Sequence, residues 1–249
     1  MKKLMIAVAI FVIIFCNTVM ADEPSLIVRQ EGTAQFELFS PGGVRILMDV
    51  CRPDILSTPA NKDDILLSTH LHQDNFKMKF TESFPGKQLY ACSGEIKDRD
   101  VYIQGIPSSH RATEPFSLGT NHIFIIEVAG LRVANLGGIG QSHLTDEQLK
   151  ALGKIDILIA PIWDDFVPMD MVNPYAFTII DQINPRLIIP TLADVETSRY
   201  SVKKWQGYYW DQQDFKISLS RLPDKQQIIF MGPAAREFRN ICRVPKAQY

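Results

Sequence analysis

Ile65-Leu66-Leu67-Ser68-Thr69-His70-Leu71-His72-Gln73-Asp74-Asn75 passes from an unbroken apolar run into a loop crowded with metal-binding side chains. Three large aliphatics closed by Ser-Thr read as a buried strand that ends at the edge of a sheet. Two histidines one residue apart leave that strand end, and Asp74, two positions on, can reach the same pocket. Imidazole and carboxylate are ligands that suit zinc, iron or nickel. The stretch predicts a sheet whose strand end carries a divalent-metal site, with His70, His72 and Asp74 as candidate ligands.

Around this stretch the pattern changes once. Short strand signals fill the first part, at residues 25–30, 34–40, 44–50, 64–69, 88–92 and 101–105, with Pro41-Gly42-Gly43 as turn chemistry. Residues 122–128 and 131–136, joined by Ala129-Gly130, predict a hairpin. From Thr145 onward helix and strand alternate. Thr145-Asp146-Glu147-Gln148 is a capping box, Leu149 and Leu152 give an apolar face, and Gly153 stops the helix. Residues 155–160 predict a buried strand, and Asn173-Pro174 opens a second helix that Pro185 ends. A strand at 187–189, a helix at 195–205 and late strands at 217–220 and 227–231 precede a C-terminal tail. Strands first and strand–helix pairs later, with runs apolar on both faces, predict an α/β sandwich of two sheets covered by helices.

The first 21 residues read as a cleaved export signal. Lys2 and Lys3 precede an apolar run of 12 residues, Leu4 to Phe15, and Val19-Met20-Ala21 offers a cleavage site. A membrane span needs about 20 apolar residues. Residues 22–249 then form one domain, periplasmic or secreted. Without Lys2 and Lys3, 24 of the 26 basic residues face 28 acidic ones, a net charge of −4. That balance excludes nucleic acid and anionic membrane surfaces as natural partners and leaves a small-molecule substrate or ligand. No residue pattern points to an oligomeric state. Cys51, Cys92 and Cys242 leave two readings open: one disulfide with a buried thiol, or three independent core cysteines.

Over roughly residues 35–231 the chain resembles the metallo-β-lactamase superfamily, and most of all its L-ascorbate phosphate lactonase-like branch. The family's H-x-H-x-D-H motif is carried here by His70-Leu71-His72-Gln73-Asp74-Asn75, and its third histidine by His110, at the end of the 101–110 stretch. Gly130-Leu131-Arg132-Val133-Ala134-Asn135-Leu136-Gly137-Gly138 and the run from Leu144 to Pro161 continue the match. The resemblance implies an αββα four-layer sandwich, two mixed β-sheets flanked by helices, with metal held between the sheets at one edge. It implies a complete first metal site of His70, His72 and His110. Of the second site only Asp74 is kept, because Asn75 stands for a histidine, Gly138 for a bridging aspartate and Leu192 for the last histidine. One zinc ion on three imidazoles keeps an open position, at which water reaches a pKa of about 7. The expected activity is therefore slow, mononuclear hydrolysis of an ester, lactone or amide, with Asp74 orienting the water or taking its proton. The alternative is a catalytically inactive family member acting as a binding protein.

Plainer readings stand beside these. Asp74 can cap a helix starting near Phe76. Asp164, Asp165 and Asp194 can replace a lost ligand, but solvated loop carboxylates are the commoner case. His122 and His143 read as surface or strand-edge residues. Trp205, Tyr208, Tyr209 and Trp210 form either a substrate wall or, more commonly, ordinary packing.

Overall fold

The computed structural model describes residues 22–72, 76–112, 114–162, 174–191, 193–232 and 235–249. Residues 1–21, read above as an export signal, and Asp74, Asn75, Asp164, Asp165 and Leu192 lie outside them. The elements in chain order are β1 (Leu26–Gln30), β2 (Phe36–Phe39), β3 (Arg45–Met48), β4 (Ile65–Ser68), α1 (Met78–Glu82), β5 (Lys87–Tyr90), β6 (Gly94–Asp98), β7 (Val101–Ser108), β8 (Asn121–Val128) and β9 (Leu131–Asn135). There follow α2 (Asp146–Leu152), β10 (Ile157–Pro161), α3 (Pro174–Ile183), β11 (Leu187–Thr191), α4 (Val195–Trp205), β12 (Gly207–Tyr209), β13 (Phe215–Ile217), β14 (Gln227–Phe230) and α5 (Ala235–Cys242).

Two mixed sheets result. One runs β13-β1-β2-β3-β4-β5 and the other β12-β14-β11-β10-β9-β8-β7-β6. In the first, β13 through β3 pair antiparallel and β3 through β5 parallel. In the second, β6 through β9 are antiparallel, and β9, β10, β11, β14 and β12 are parallel. The period of two along each strand explains the layers. Ile46, Met48, Ile65 and Leu67 face Ile103, Phe124, Ile126, Val133, Ile157 and Ile159 in the core between the sheets. The alternate residues Ile123, Ile125, Ala134, Leu158 and Ile188 pack outward against Leu144, Leu152, Phe177, Ile180 and Trp205. Each such side chain fully removed from water contributes about 1.5–3 kcal/mol before entropy is counted. The second sheet is thus apolar on both faces, as parallel strands under helices must be. The first sheet's outer face has a smaller cover, in which Leu47, Val50, Leu66 and Phe84 pack with Leu56, Ala60 and Phe80.

That outer face also holds a buried charge cluster. Glu37 and Arg45, on neighbouring strands, are 0% and 6% exposed, and Asp64 is 3% exposed. Arg45 donates to Glu37, Asp64, the Thr58 hydroxyl and the Thr58 and Pro59 carbonyls. Glu37 accepts from the Ser57 amide and hydroxyl, both at 2.7 Å. The cluster pins the 51–64 loop over the sheet. Arg45→Ala leaves two carboxylates buried without their cation, so a loss of about 3–5 kcal/mol in urea denaturation is expected.

Several local expectations need correction. The strand expected at 217–220 lies at Phe215–Ile217, because β1 offers partners only from Leu26 to Val28, and a 3-10 turn follows at Leu219–Arg221. The tail contains α5, and β6 forms from the short sequence Gly94–Asp98. Among the described cysteines none is in a disulfide, and with Cys92 exposed and Cys51 and Cys242 half-buried none is a core residue. Trp205 and Tyr209 are buried, Tyr208 and Trp210 pack against the central core, and Trp205 stacks on Phe177.

Candidate metal centre

The carboxyl ends of β3, β4 and β9 meet the end of β7 at one edge of the sandwich, where α/β sheets commonly bind ligands. Thr69 and His70 continue β4 into this crevice. The Thr69 carbonyl accepts from the His122 amide at 2.9 Å, which ties the first sheet to the second. His110 stands just past β7, its amide bonded to the Thr120 hydroxyl at 2.9 Å.

These two loops bring three imidazoles together. Ring centroids of His70 and His72 are 5.0 Å apart, of His70 and His110 4.7 Å, and of His72 and His110 4.5 Å. One nitrogen from each lies within 4.8 Å of the other two. Two nitrogens each about 2.1 Å from one ion are at most about 4.2 Å apart, so the trio needs little closure to share a cation.

Hydrogen bonds determine which nitrogens face inward. The Asp49 carboxylate, 1% exposed, accepts from the Thr69 amide and hydroxyl through Oδ1, both at 2.8 Å. Asn135 Nδ2 donates to its Oδ2 at 3.1 Å. With its proton committed to Asp49, the Thr69 hydroxyl can only accept at its 2.9 Å contact with His70 Nδ1. His70 therefore carries its proton on Nδ1 and presents the Nε2 lone pair. His110 Nδ1 donates to the Gly138 carbonyl, again leaving Nε2 as the available donor atom. Outer partners of this kind orient metal-binding imidazoles and set their tautomer. Burial, and then the neighbouring His110 and His72, push the His70 pKa down to about 3. It is neutral at pH 7, the form a metal requires. The donor set thus fits a divalent transition ion.

Glycines make room for the rings. Gly137 has φ +57°, and a Cβ there would overlap the Thr69 side chain. A Cβ on Gly138 would lie 2.7 Å from His70 Cε1, 2.8 Å from its Nε2 and 2.9 Å from His110 Cε1.

The other candidates fall elsewhere. Asp194 caps α4, accepting from the Thr197 amide at 2.7 Å. His143 is exposed beside Ser142 and Glu114. His122, read as a surface or strand-edge residue, stands near the start of β8 and is 4% exposed, because β8 is covered on both faces. Asp49, Thr69, Asn135 and the Gly138 carbonyl were absent from the sequence-based site. Asp49 did leave a trace: an acidic residue directly after the buried run of β3.

A family model described as "Beta-lactamase superfamily domain" matches residues 30–192. A metallo-β-lactamase superfamily protein from Thermotoga maritima, proposed to be a Zn-dependent hydrolase, superposes with TM-score 0.61 at 21% identity, covering 83% of this chain and 98% of its own. Igni18, a metallo hydrolase from Ignicoccus hospitalis, gives 0.53 at 16% identity, covering 84% and 96%. The metallo-β-lactamase fold protein YhfI from Bacillus subtilis gives 0.53 at 12%, covering 83% and 96%. At these identities the likeness concerns the fold. No curated protein sequence matches the chain.

Proposed function

The chain belongs to the metallo-β-lactamase superfamily, and from that premise we propose that it is a hydrolase using a single divalent ion, zinc in the first instance. The convergence of His70, His72 and His110 carries this reading. A bound ion supplies Lewis acidity, polarising a carbonyl and acidifying water. The protein contributes the rest. Asp49 and Thr69 hold the His70 ring, and the Gly138 carbonyl holds that of His110. Asp74, two residues beyond His72, is proposed to orient the attacking water and accept its proton. The substrate is a small ester, lactone or amide, met after export directed by residues 1–21.

The test is metal analysis of the purified chain with and without chelator, alongside hydrolysis of p-nitrophenyl esters, lactones and p-nitroanilide amides. One equivalent of zinc, lost in His110→Ala together with turnover, is the expected result. Metal without turnover on any ester, lactone or amide would support a binding protein on the same scaffold. Absence of metal at micromolar free zinc would overturn the metal reading.

A further inference from the structure

Among the described residues, no strand pairs with the end of β7 on one edge. β6 begins at Gly94, opposite Gly105, so among the described residues no strand covers that edge of the chain from there through the end of β7 to His110. The Ser108 carbonyl points the other way, accepting from the Gly119 amide at 3.0 Å. The Pro107 carbonyl and the Ser109 amide, alternating with it, face the open edge. Buried polar backbone without a partner is destabilising, so these groups need one. Two glutamine side chains occupy that edge. Gln141 Oε1 accepts from the Ser109 amide at 2.9 Å, and Gln148 Nε2 donates to the Pro107 carbonyl at 3.0 Å. The two amides also bond each other reciprocally, both contacts at 2.9 Å. Gln141 Nε2 reaches the His143 carbonyl, and Gln148 Oε1 accepts from the Thr145 amide. Backbone donors and acceptors at all four ends fix both amide orientations. Gln141 is 0% exposed and Gln148 5%.

We infer that Gln141 and Gln148 are positioning residues for His110, a paired-amide substitute for the missing strand that sets where the third imidazole stands. The inference rests on the reading of His110 as a metal ligand. Gln148 is also the capping-box residue of α2, so the helix start and the ligand loop share one side chain. The Gly140 amide completes the brace, donating to the Ser109 carbonyl at 2.9 Å.

The nearly isosteric variants Gln141→Met and Gln148→Met test this, with Gln182→Met as control. Gln182 accepts from the Leu144 amide at 2.9 Å and supports the same loop without touching β7. Zinc affinity is read by competition with a chromophoric chelator, and cobalt(II) substitution reports geometry through its visible spectrum. The two positioning variants are expected to lose at least about 10-fold in affinity and to change the cobalt spectrum, with the control within about 2-fold. In the metal-free protein, amide exchange at Ser109, His110 and Gly140 is expected to rise at least about 10-fold in the variants alone. Unchanged affinity and exchange, or equal losses in the control, would overturn the inference. A wild-type chain that binds no metal would overturn the proposed function, while the exchange measurement still decides whether the pair positions His110.

Discussion

His70→Ala is expected to lower zinc affinity by more than 100-fold, beyond the roughly 10–100-fold cost of losing a ligand's outer partner. His70 is the most buried of the three imidazoles, at 3% exposure, and its ring is held by the Asp49–Thr69 pair. The same substitution is expected to change the pH dependence of the metal-free protein. The folded-state pKa of His70 is about 3, against about 6.5 in an unfolded chain. Between those values the unfolded chain holds a proton that the folded chain does not. Stability from this group is therefore complete above about pH 6.5 and falls as pH drops toward 3, by up to about 1.4 kcal/mol per unit. Urea denaturation at pH 7.5 and 4.5 reads the slope, which is expected to be shallower in His70→Ala. Equal slopes would show that the His70 ring sits in water when no metal is bound.

The three imidazoles that converge were legible in the sequence, and the residues that hold them were not. His-x-His after Ile65-Leu66-Leu67 is a local signal, and His110 is found once its resemblance to the family's third histidine is seen. Asp49 acts through Thr69, 20 residues on, and meets Asn135 86 residues away. Such pairs exist only once the sheets are stacked, and no periodicity announces them. The same holds for Gln141, whose partner Ser109, just past β7, is 32 residues earlier. The fold itself was readable because β4, β10 and β11 are buried along their whole length and their runs are mostly aliphatic. Elements with mixed surfaces escaped: β6 shows one buried residue in five, and α5 carries Arg, Glu, Arg and Asn in eight residues.

Gly138→Asp separates two views of the site. If a carboxylate is all that a second metal lacks, the variant should bind a second equivalent. The geometry predicts the opposite. The new Cβ would lie 2.7–2.9 Å from ring atoms of both His70 and His110. Neither ring can simply swing away, since His70 is tied to Thr69 and His110 to the carbonyl of residue 138 itself. The backbone there is also held, with the Gly138 amide donating to Asn121 Oδ1 at 3.0 Å. Forcing atoms into a packed site of this kind costs about 1–3 kcal/mol. The expected outcome is a destabilised chain that binds its first zinc at least about 10-fold more weakly and takes up no second. Gly138→Ala supplies the steric change without the charge and is expected to reproduce most of the loss. Calorimetric titration with zinc counts the equivalents in both. Two equivalents in the aspartate variant, with the first still tight, would show that the rings yield and that position 138 alone limits the centre to one ion.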